Sequence, residues 1–298
     1  MLKIGSTRSL GELGTVGALA FGHWRFVGHD LQTATLLMET ALDAGMNLID
    51  TADVYGLDWG GTAFGQAEEQ LGEVLAANPA MRDRIILATK GGITPPVPYD
   101  SSAAYLQQAV EDSLRRLQTD RVDLYQIHRH DLYSHPAEVA GTLDGLVDSG
   151  KVRALGVSNH TPAQVEALTE HLRHPLITVQ PEYSVANLVA QRDGTLDQAM
   201  RKGLVPLAWS PLRGGAVVTG EGIRTELSVA LDSLADREGT DRASIALAFV
   251  LAHPSGPVAI IGSQNPERLS SATSAFEVTL DRQDVYTLVQ ASEGQALP

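Results

Sequence analysis

The feature that most constrains this chain is a repeat of short apolar runs, each followed by a longer amphipathic stretch. Eight runs stand out: Gly17–Phe21, Met46–Asp50, Ile85–Lys90, Val122–His128, Val152–Val157, Ile177–Gln180, Leu204–Ser210 and Val258–Gly262. Apolar residues occupy consecutive positions in them rather than alternate ones. That is the pattern of strands covered on both faces, as in a parallel sheet flanked by helices. Between the runs, Leu31–Ala44 has apolar residues at Leu31, Ala34, Leu37, Met38 and Ala41, which is helical spacing. Ser102–Leu117, Pro136–Ser149 and Pro162–Leu172 behave alike. Thr161-Pro162 reads as a capping residue with proline at the first helical position. Gly45, Gly150 and Gly203 stand where a glycine ends a helix.

Eight strands alternating with helices predict an α/β fold, a (β/α)8 TIM barrel, with a doubly wound sheet as the alternative. Division of the 298 residues by a typical domain of about 150 suggests two domains. The strand count predicts one, spanning 1–298. The glycine-rich segment Gly11–Gly22 predicts an N-terminal hairpin before the first strand. Pro211–Thr225 predicts a long flexible loop after the seventh.

Composition removes several function classes. With 22 basic and 36 acidic side chains the formal charge is −14, which disfavours a nucleic-acid partner or an anionic membrane surface. The absence of cysteine excludes disulfides, thiolate catalysis and Cys-ligated zinc. Met1–Leu10 lacks the apolar core of a signal peptide, and no window reaches the roughly 18 apolar residues of a spanning helix. A soluble, cytoplasmic protein is expected.

Some familiar motifs fail on inspection. Gly145–Val152 matches G-x-x-x-x-G-K but ends in valine, where a P-loop needs a hydroxyl. Gly156-Val-Ser158-Asn-His160 lacks the last glycine of a nucleophile elbow. No G-x-G-x-x-G follows a strand, so a dinucleotide would not bind in the Rossmann manner. His128-Arg-His130-Asp131 invites a zinc reading, but later strand ends offer only Asn159-His160, Gln180 and Ser210, mostly poor ligands. No metal is expected.

Chemistry in a barrel sits at the carboxyl ends of the strands. Those ends carry Asp50, Lys90, His128, Ser158 with Asn159, Gln180, Trp209 with Ser210, and Gly262 with Ser263, while Tyr55 follows Asp50 by five residues. Each has a plain alternative: a helix cap, a solvated charge, a core histidine, a surface aromatic. Together they make a coherent device. A tyrosine is a weak acid near neutral pH, and a nearby ammonium favours its phenolate. A carboxylate holds that ammonium in place, and a histidine can orient a substrate oxygen. Such a set protonates a carbonyl oxygen while something else attacks the carbon. It contains no nucleophile, so the electrons must come from a cofactor.

At this point the chain resembles the aldo-keto reductase family. Asn47-Leu-Ile-Asp50-Thr-Ala-Asp-Val-Tyr55-Gly56 is similar to its signature after strand two. Lys90 and His128 match its lysine and histidine. Gly150–Asn159 resembles its G-K-x-R-x-x-G-V-S-N run, and Val258–Leu269 its C-terminal cofactor segment. The matches run from about residue 15 to 285 in the family's order. Gly194–Gln198 and Ala208–Gly215 look most like a bacterial subgroup of poorly defined substrate.

The resemblance implies NADPH-dependent reduction of an aldehyde or ketone, with Tyr55 as general acid, Lys90 and Asp50 tuning it and His128 steering the carbonyl. It places Ser158, Asn159 and Gln180 on the nicotinamide carboxamide and Trp209 on the nicotinamide ring. Ser210, Leu212 and Gly214 would line the pyrophosphate channel. Gly262, Ser263, Gln264 and Arg268 would bind the cofactor, with Ser263 and Arg268 around the adenosine 2′-phosphate and Gln264 and Asn265 in the same loop. Gly262 stands where many members have a lysine, and Ser271 and Ala272 replace residues often seen at the adenine. Arg268 still favours NADPH over NADH. Trp24, with core packing as its alternative, would wall the substrate pocket; Leu57, Trp59 and Tyr99 would rim it. Competing readings are an NAD(P)-dependent alcohol or sugar dehydrogenase, a cofactor-sensing regulatory subunit, and a metal hydrolase.

Overall fold

The computed structural model describes residues 1–2, 4–57 and 60–297. The sequence expectation for Trp59 lies outside them. The chain opens with a hairpin, β1 (Thr7–Ser9) paired antiparallel to β2 (Thr15–Gly17), with Thr7 opposite Gly17. Eight parallel strands then close a barrel: β3 (Leu19–Gly22), β4 (Leu48–Asp50), β5 (Ile86–Gly91), β6 (Val122–Ile127), β7 (Val152–Ser158), β8 (Leu176–Gln180), β9 (Val205–Ala208) and β10 (Val258–Ile261). They pair in chain order, and β10 closes on β3. The fold is a (β/α)8 barrel.

The helices between the strands are α1 (Leu31–Asp43), α2 (Gln66–Ala77), α3 (Ala103–Leu117), α4 (Pro136–Asp148), α5 (Pro162–Thr169), α6 (Val189–Arg192), α7 (Thr195–Lys202), α8 (Ala216–Thr219), α9 (Thr225–Glu238) and α10 (Arg242–Leu251). After β10 come α11 (Pro266–Ser271) and α12 (Arg282–Glu293). Their starts are written in the sequence. Asp30 accepts from Thr33 N–H at 2.7 Å at the head of α1. Thr161 and Gln164 form a reciprocal capping box on α5 with Pro162 at its first turn. Gly45, Gly150 and Gly203 follow α1, α4 and α7 with φ of 80°, 77° and 71°, left-handed values that cost a glycine little.

Two expectations shift. The hairpin begins at Thr7 rather than Gly11, and Gly17 belongs to it, because a single-residue break at Ala18 separates β2 from the first barrel strand. The segment after β9 is not a uniformly flexible loop. Residues Arg213–Gly215 form a 3-10 turn running into α8, and α9 starts at Thr225. Its glycines supply the left-handed backbone of a compact turn, with Gly214 and Gly215 at φ of 65° and 104°.

The core has two layers. Between strands and helices lie residues such as Phe21, Ile49, Leu87, Tyr125, Val157 and the almost wholly buried α10. Inside the barrel, Ala20, Leu48, Ala88, Leu124, Ala154, Leu207, Val258 and Ile260 pack together with Leu10, Leu13 and Val16 of the hairpin. The hairpin thus closes the amino-terminal end of the barrel with apolar side chains. Polar chemistry is left to the other end. Among the described residues, no helix is long and apolar enough to cross a membrane.

Candidate active site

Side chains alternate along a strand, so the residues two positions above the apolar lumen layer also point inward. Asp50 stands two above Leu48, Lys90 two above Ala88, and Gln126 two above Leu124. These polar groups meet above the apolar plug. Lys90 Nζ donates to Asp50 Oδ2 at 2.8 Å, to the carbonyl of Thr51 at 2.8 Å and to Tyr55 Oη at 3.2 Å. The Lys90 side chain is fully buried and Asp50 nearly so. Burial alone opposes the ammonium charge; the Asp50 carboxylate and the Tyr55 oxygen outweigh it, and Lys90 is held above its ordinary range.

Asp50 has further support. Its Oδ1 accepts from Gln180 Nε2 at 2.9 Å and from Gln126 Nε2 at 3.3 Å, and Thr178 Oγ1 donates to Gln126 Oε1 at 3.4 Å. A buried carboxylate with two amides and one ammonium is a paired and satisfied charge. Gln126 and Thr178 were missed by sequence reasoning. The signal for Gln126 was its place two residues before His128 on the same strand.

His128 follows the last residue of β6, and its N–H donates to Gly91 O at 2.8 Å. Its ring meets that of Tyr55 edge to face at a centroid distance of 5.6 Å. Burial first, then the charges of Lys90 and Arg129, push His128 well below its usual range, so the imidazole is neutral. Its Nδ1 is buried without a protein partner. The structure therefore brings Asp50, Tyr55, Lys90 and His128 to one mouth.

Next to this group lies a second chain of contacts. Asn159 has φ of 55° just past β7. Its Nδ2 reaches Ser158 Oγ at 2.8 Å and His128 O at 3.2 Å, while its Oδ1 accepts from Trp209 Nε1 at 3.0 Å. Ser158 Oγ donates to Gln180 O at 3.0 Å. These bonds tie the ends of β6, β7, β8 and β9 together and pin the half-buried indole of Trp209. Ser210, Leu212 and Gly214 follow on the turn after β9, where Ser210 Oγ accepts from Gly214 N–H at 3.1 Å. Ser263 and Gln264 lie past β10, and Gln264 Oε1 contacts His29 Nε2 at 3.0 Å. Gly262 is half-buried at the strand end, and Arg268 is exposed in α11 with no ion-pair partner among the described residues.

This arrangement fits a nicotinamide dinucleotide. A fixed aromatic face stands beside amide and hydroxyl groups at the strand ends, and the exposed Arg268 guanidinium lies further along the chain in α11. Trp24 is 40% exposed with the Arg25 guanidinium 5.7 Å from its ring, so it is a surface residue and not a core one. Leu57 is exposed and Tyr99 half-buried on the neighbouring loops.

Comparison with known proteins agrees with this fold. The model of the Aldo/keto reductase family matches residues 18–293. The chain belongs to that family and is an NAD(P)H-dependent oxidoreductase. It is 50% identical to a 6-dehydroglucose reductase of Novosphingobium aromaticivorans, over 98% of this chain and 97% of that one. A 6-dehydroglucose reductase of Agrobacterium fabrum is 36% identical over 92% and 95% of the two chains. Among solved structures, an aldo/keto reductase from Klebsiella pneumoniae in complex with NADP and acetate superposes with a TM-score of 0.80 at 28% identity, covering 96% of this chain and 94% of that one.

Proposed function

We propose that this enzyme reduces the aldehyde of an oxidised sugar, 6-dehydroglucose, to the alcohol with NADPH, and that Tyr55 delivers the proton. The observation that carries the reading is the Asp50–Lys90–Tyr55 chain, 2.8 and 3.2 Å from link to link, at the barrel mouth. The names of two relatives supply the substrate, and the NADP complex of a third supports the cofactor. The cofactor, when bound, supplies the hydride.

The chain's residues do the rest. Trp209, Ser158, Asn159 and Gln180 orient the nicotinamide at the mouth. Neutral His128 and Tyr55 hold the carbonyl oxygen from two sides. As negative charge grows on that oxygen, the Tyr55 proton moves to it, and the Lys90 ammonium stabilises the phenolate left behind. Asp50 keeps Lys90 charged and in place. In the reverse direction the phenolate takes the alcohol proton.

Tyr55→Phe keeps the ring and removes the acid. It is expected to lower the consumption of NADPH with 6-dehydroglucose by about 10²–10⁴-fold, with NADPH binding, read by quenching of protein fluorescence, unchanged. Retained turnover would mean that another group is the acid. For the cofactor, Arg268→Ala is expected to weaken NADPH binding by roughly tenfold, the scale of one charge-assisted contact, and NADH binding hardly at all. Equal weakening of both would remove Arg268 from the 2′-phosphate.

A further inference from the structure

On the helix-facing side of β5, directly behind Lys90, lies a second polar cluster that plays no part in the steps above. Its centre is Asp53, two residues before Tyr55 and 1% exposed. Asp53 N–H donates to Lys90 O at 3.0 Å. Asp53 Oδ2 lies 3.0 Å from Tyr105 Oη, and Oδ1 is buried with no hydrogen-bond partner among the described residues. One residue thus ties the loop carrying the acid to the strand carrying the lysine through its backbone N–H, and to the first turn of α3 through its side chain.

Two counts fix its protonation. The first is of charge. The buried Glu68 of α2 accepts from Thr89 Oγ1 at 2.5 Å and from Arg116 at 2.7 Å. The guanidinium is thereby committed to Glu68, and two buried acids share one cation. The second count is of protons. Tyr105 Oη has one hydrogen but two acceptors in reach, Asp53 Oδ2 at 3.0 Å and Ile93 O at 3.3 Å. If Asp53 were ionised, the hydrogen could serve only one of them. If Asp53 carries a proton, it donates to the phenol and the phenol donates to Ile93, and both bonds are made. The acid form also leaves a neutral carbonyl oxygen bare at Oδ1, which costs far less than a bare buried carboxylate oxygen.

We propose that Asp53 is a positioning residue for Tyr55 that works as a carboxylic acid, clamping the Tyr55 loop to Tyr105 and, through it, to the loop at Ile93. The kinetic consequence rests on the proposed reductase reading; the protonation does not. Burial, and next the Glu68 carboxylate, push Asp53 well above the usual carboxylate range, against the opposing pull of Tyr105, Arg116 and the Val54 N–H. The groups facing the clamp are Glu68 from α2, Tyr105 and Arg116 from α3, Tyr125 from β6, and Asp100 acting on Tyr105 from the loop before α3. Tyr105 and Tyr125 are themselves pushed above the ordinary phenol range, chiefly by burial, so both keep their hydrogens when Asp53 ionises.

The sign follows from that order. As pH rises, Asp53 loses its proton, the Asp53-to-Tyr105 bond loses its donor, and a negative charge is left behind the Tyr55 loop. Alcohol oxidation is the direction to measure, because there ionisation of Tyr55 raises the rate while ionisation of Asp53 lowers it. Wild type is expected to rise and then fall in kcat with increasing pH. Asp53→Asn keeps a donor toward Tyr105 and cannot ionise, so it should hold kcat within about twofold at neutral pH and lose the alkaline fall. Asp53→Ala should lower kcat about tenfold or more, with the Kd for NADPH within about twofold, since it misplaces the acid and not the cofactor.

Infrared difference spectra on a pH titration give a readout independent of any substrate. The band of a buried carboxylic acid should be present at neutral pH and absent in Asp53→Asn. That arm separates a failure of this proposal from a failure of the reductase reading, and it holds if Asp53→Ala does not fold. Superimposable kcat profiles for wild type and Asp53→Asn, or a neutral-pH spectrum in which the variant removes no acid band, would overturn the proposal.

Discussion

The two faces of β5 carry polar clusters of opposite kind. Lys90 points into the lumen, where one cation meets one carboxylate, and Asp50 has an ammonium and two amides on its oxygens. Thr89, one residue earlier, points outward to Glu68, into a cluster with two acids, one guanidinium and unpartnered atoms on Asp53 and Tyr125. The inner cluster is balanced and its geometry is fixed by bonds that satisfy each other. The outer cluster is short of donors and charge, and only a bound proton restores the balance. Both are buried, yet one is built to hold a charge and the other to hold a proton. Burial alone therefore does not decide the ionisation of a carboxyl group; the donors and cations facing it do.

Removing the cation from each cluster separates the two roles. Lys90→Met leaves Asp50 without its counter-ion and Tyr55 without the charge that stabilises its phenolate. Turnover should fall by about 10²–10⁴-fold, and stability in urea by about 3–5 kcal/mol, the cost of breaking a buried pair. Arg116→Met leaves the buried Glu68 without its cation and should cost a similar stability of about 3–5 kcal/mol. Its kcat near neutral pH should stay within about twofold of wild type, because Asp53 remains an acid there. If Arg116→Met lowered turnover as far as Lys90→Met, the two clusters would be one functional unit and the contrast would dissolve.

The inner cluster, apart from Gln126 and Thr178, was legible in the sequence and the outer one was not. Asp50, Lys90 and His128 each end an apolar run, and a barrel delivers such ends to one place. The outer cluster draws on Asp53, Glu68, Thr89, Tyr105, Arg116 and Tyr125, which span two strands, two helices and a loop. Glu68 and Arg116 read as ordinary solvated helix charges until α2 and α3 are packed against each other. Tyr125 reads as one more apolar position of β6. The turn after β9 was misjudged for a related reason. A glycine-rich stretch reads as flexible, but its left-handed glycines and the Ser210 hydroxyl build a defined turn.

The smallest effect tests the outer cluster most sharply. Tyr125 Oη is buried and has no hydrogen-bond partner among the described residues. It stands where a Cβ on Gly91 would collide with it, a point 3.3 Å from Asp53 Oδ2. While Asp53 is an acid, that hydroxyl contributes no bond, and removing an unpartnered buried polar group is neutral or favourable. Tyr125→Phe should therefore leave stability at neutral pH unchanged or raise it by up to about 1 kcal/mol, as urea unfolding would read. At alkaline pH the sign should reverse. An ionised Asp53 needs a donor for its bare Oδ1, the Tyr125 hydroxyl belongs to the same buried cluster, and the phenylalanine variant cannot supply one. A clear destabilisation already at neutral pH would show that the hydroxyl has a partner there, and that the outer cluster holds its charge much as the inner one does.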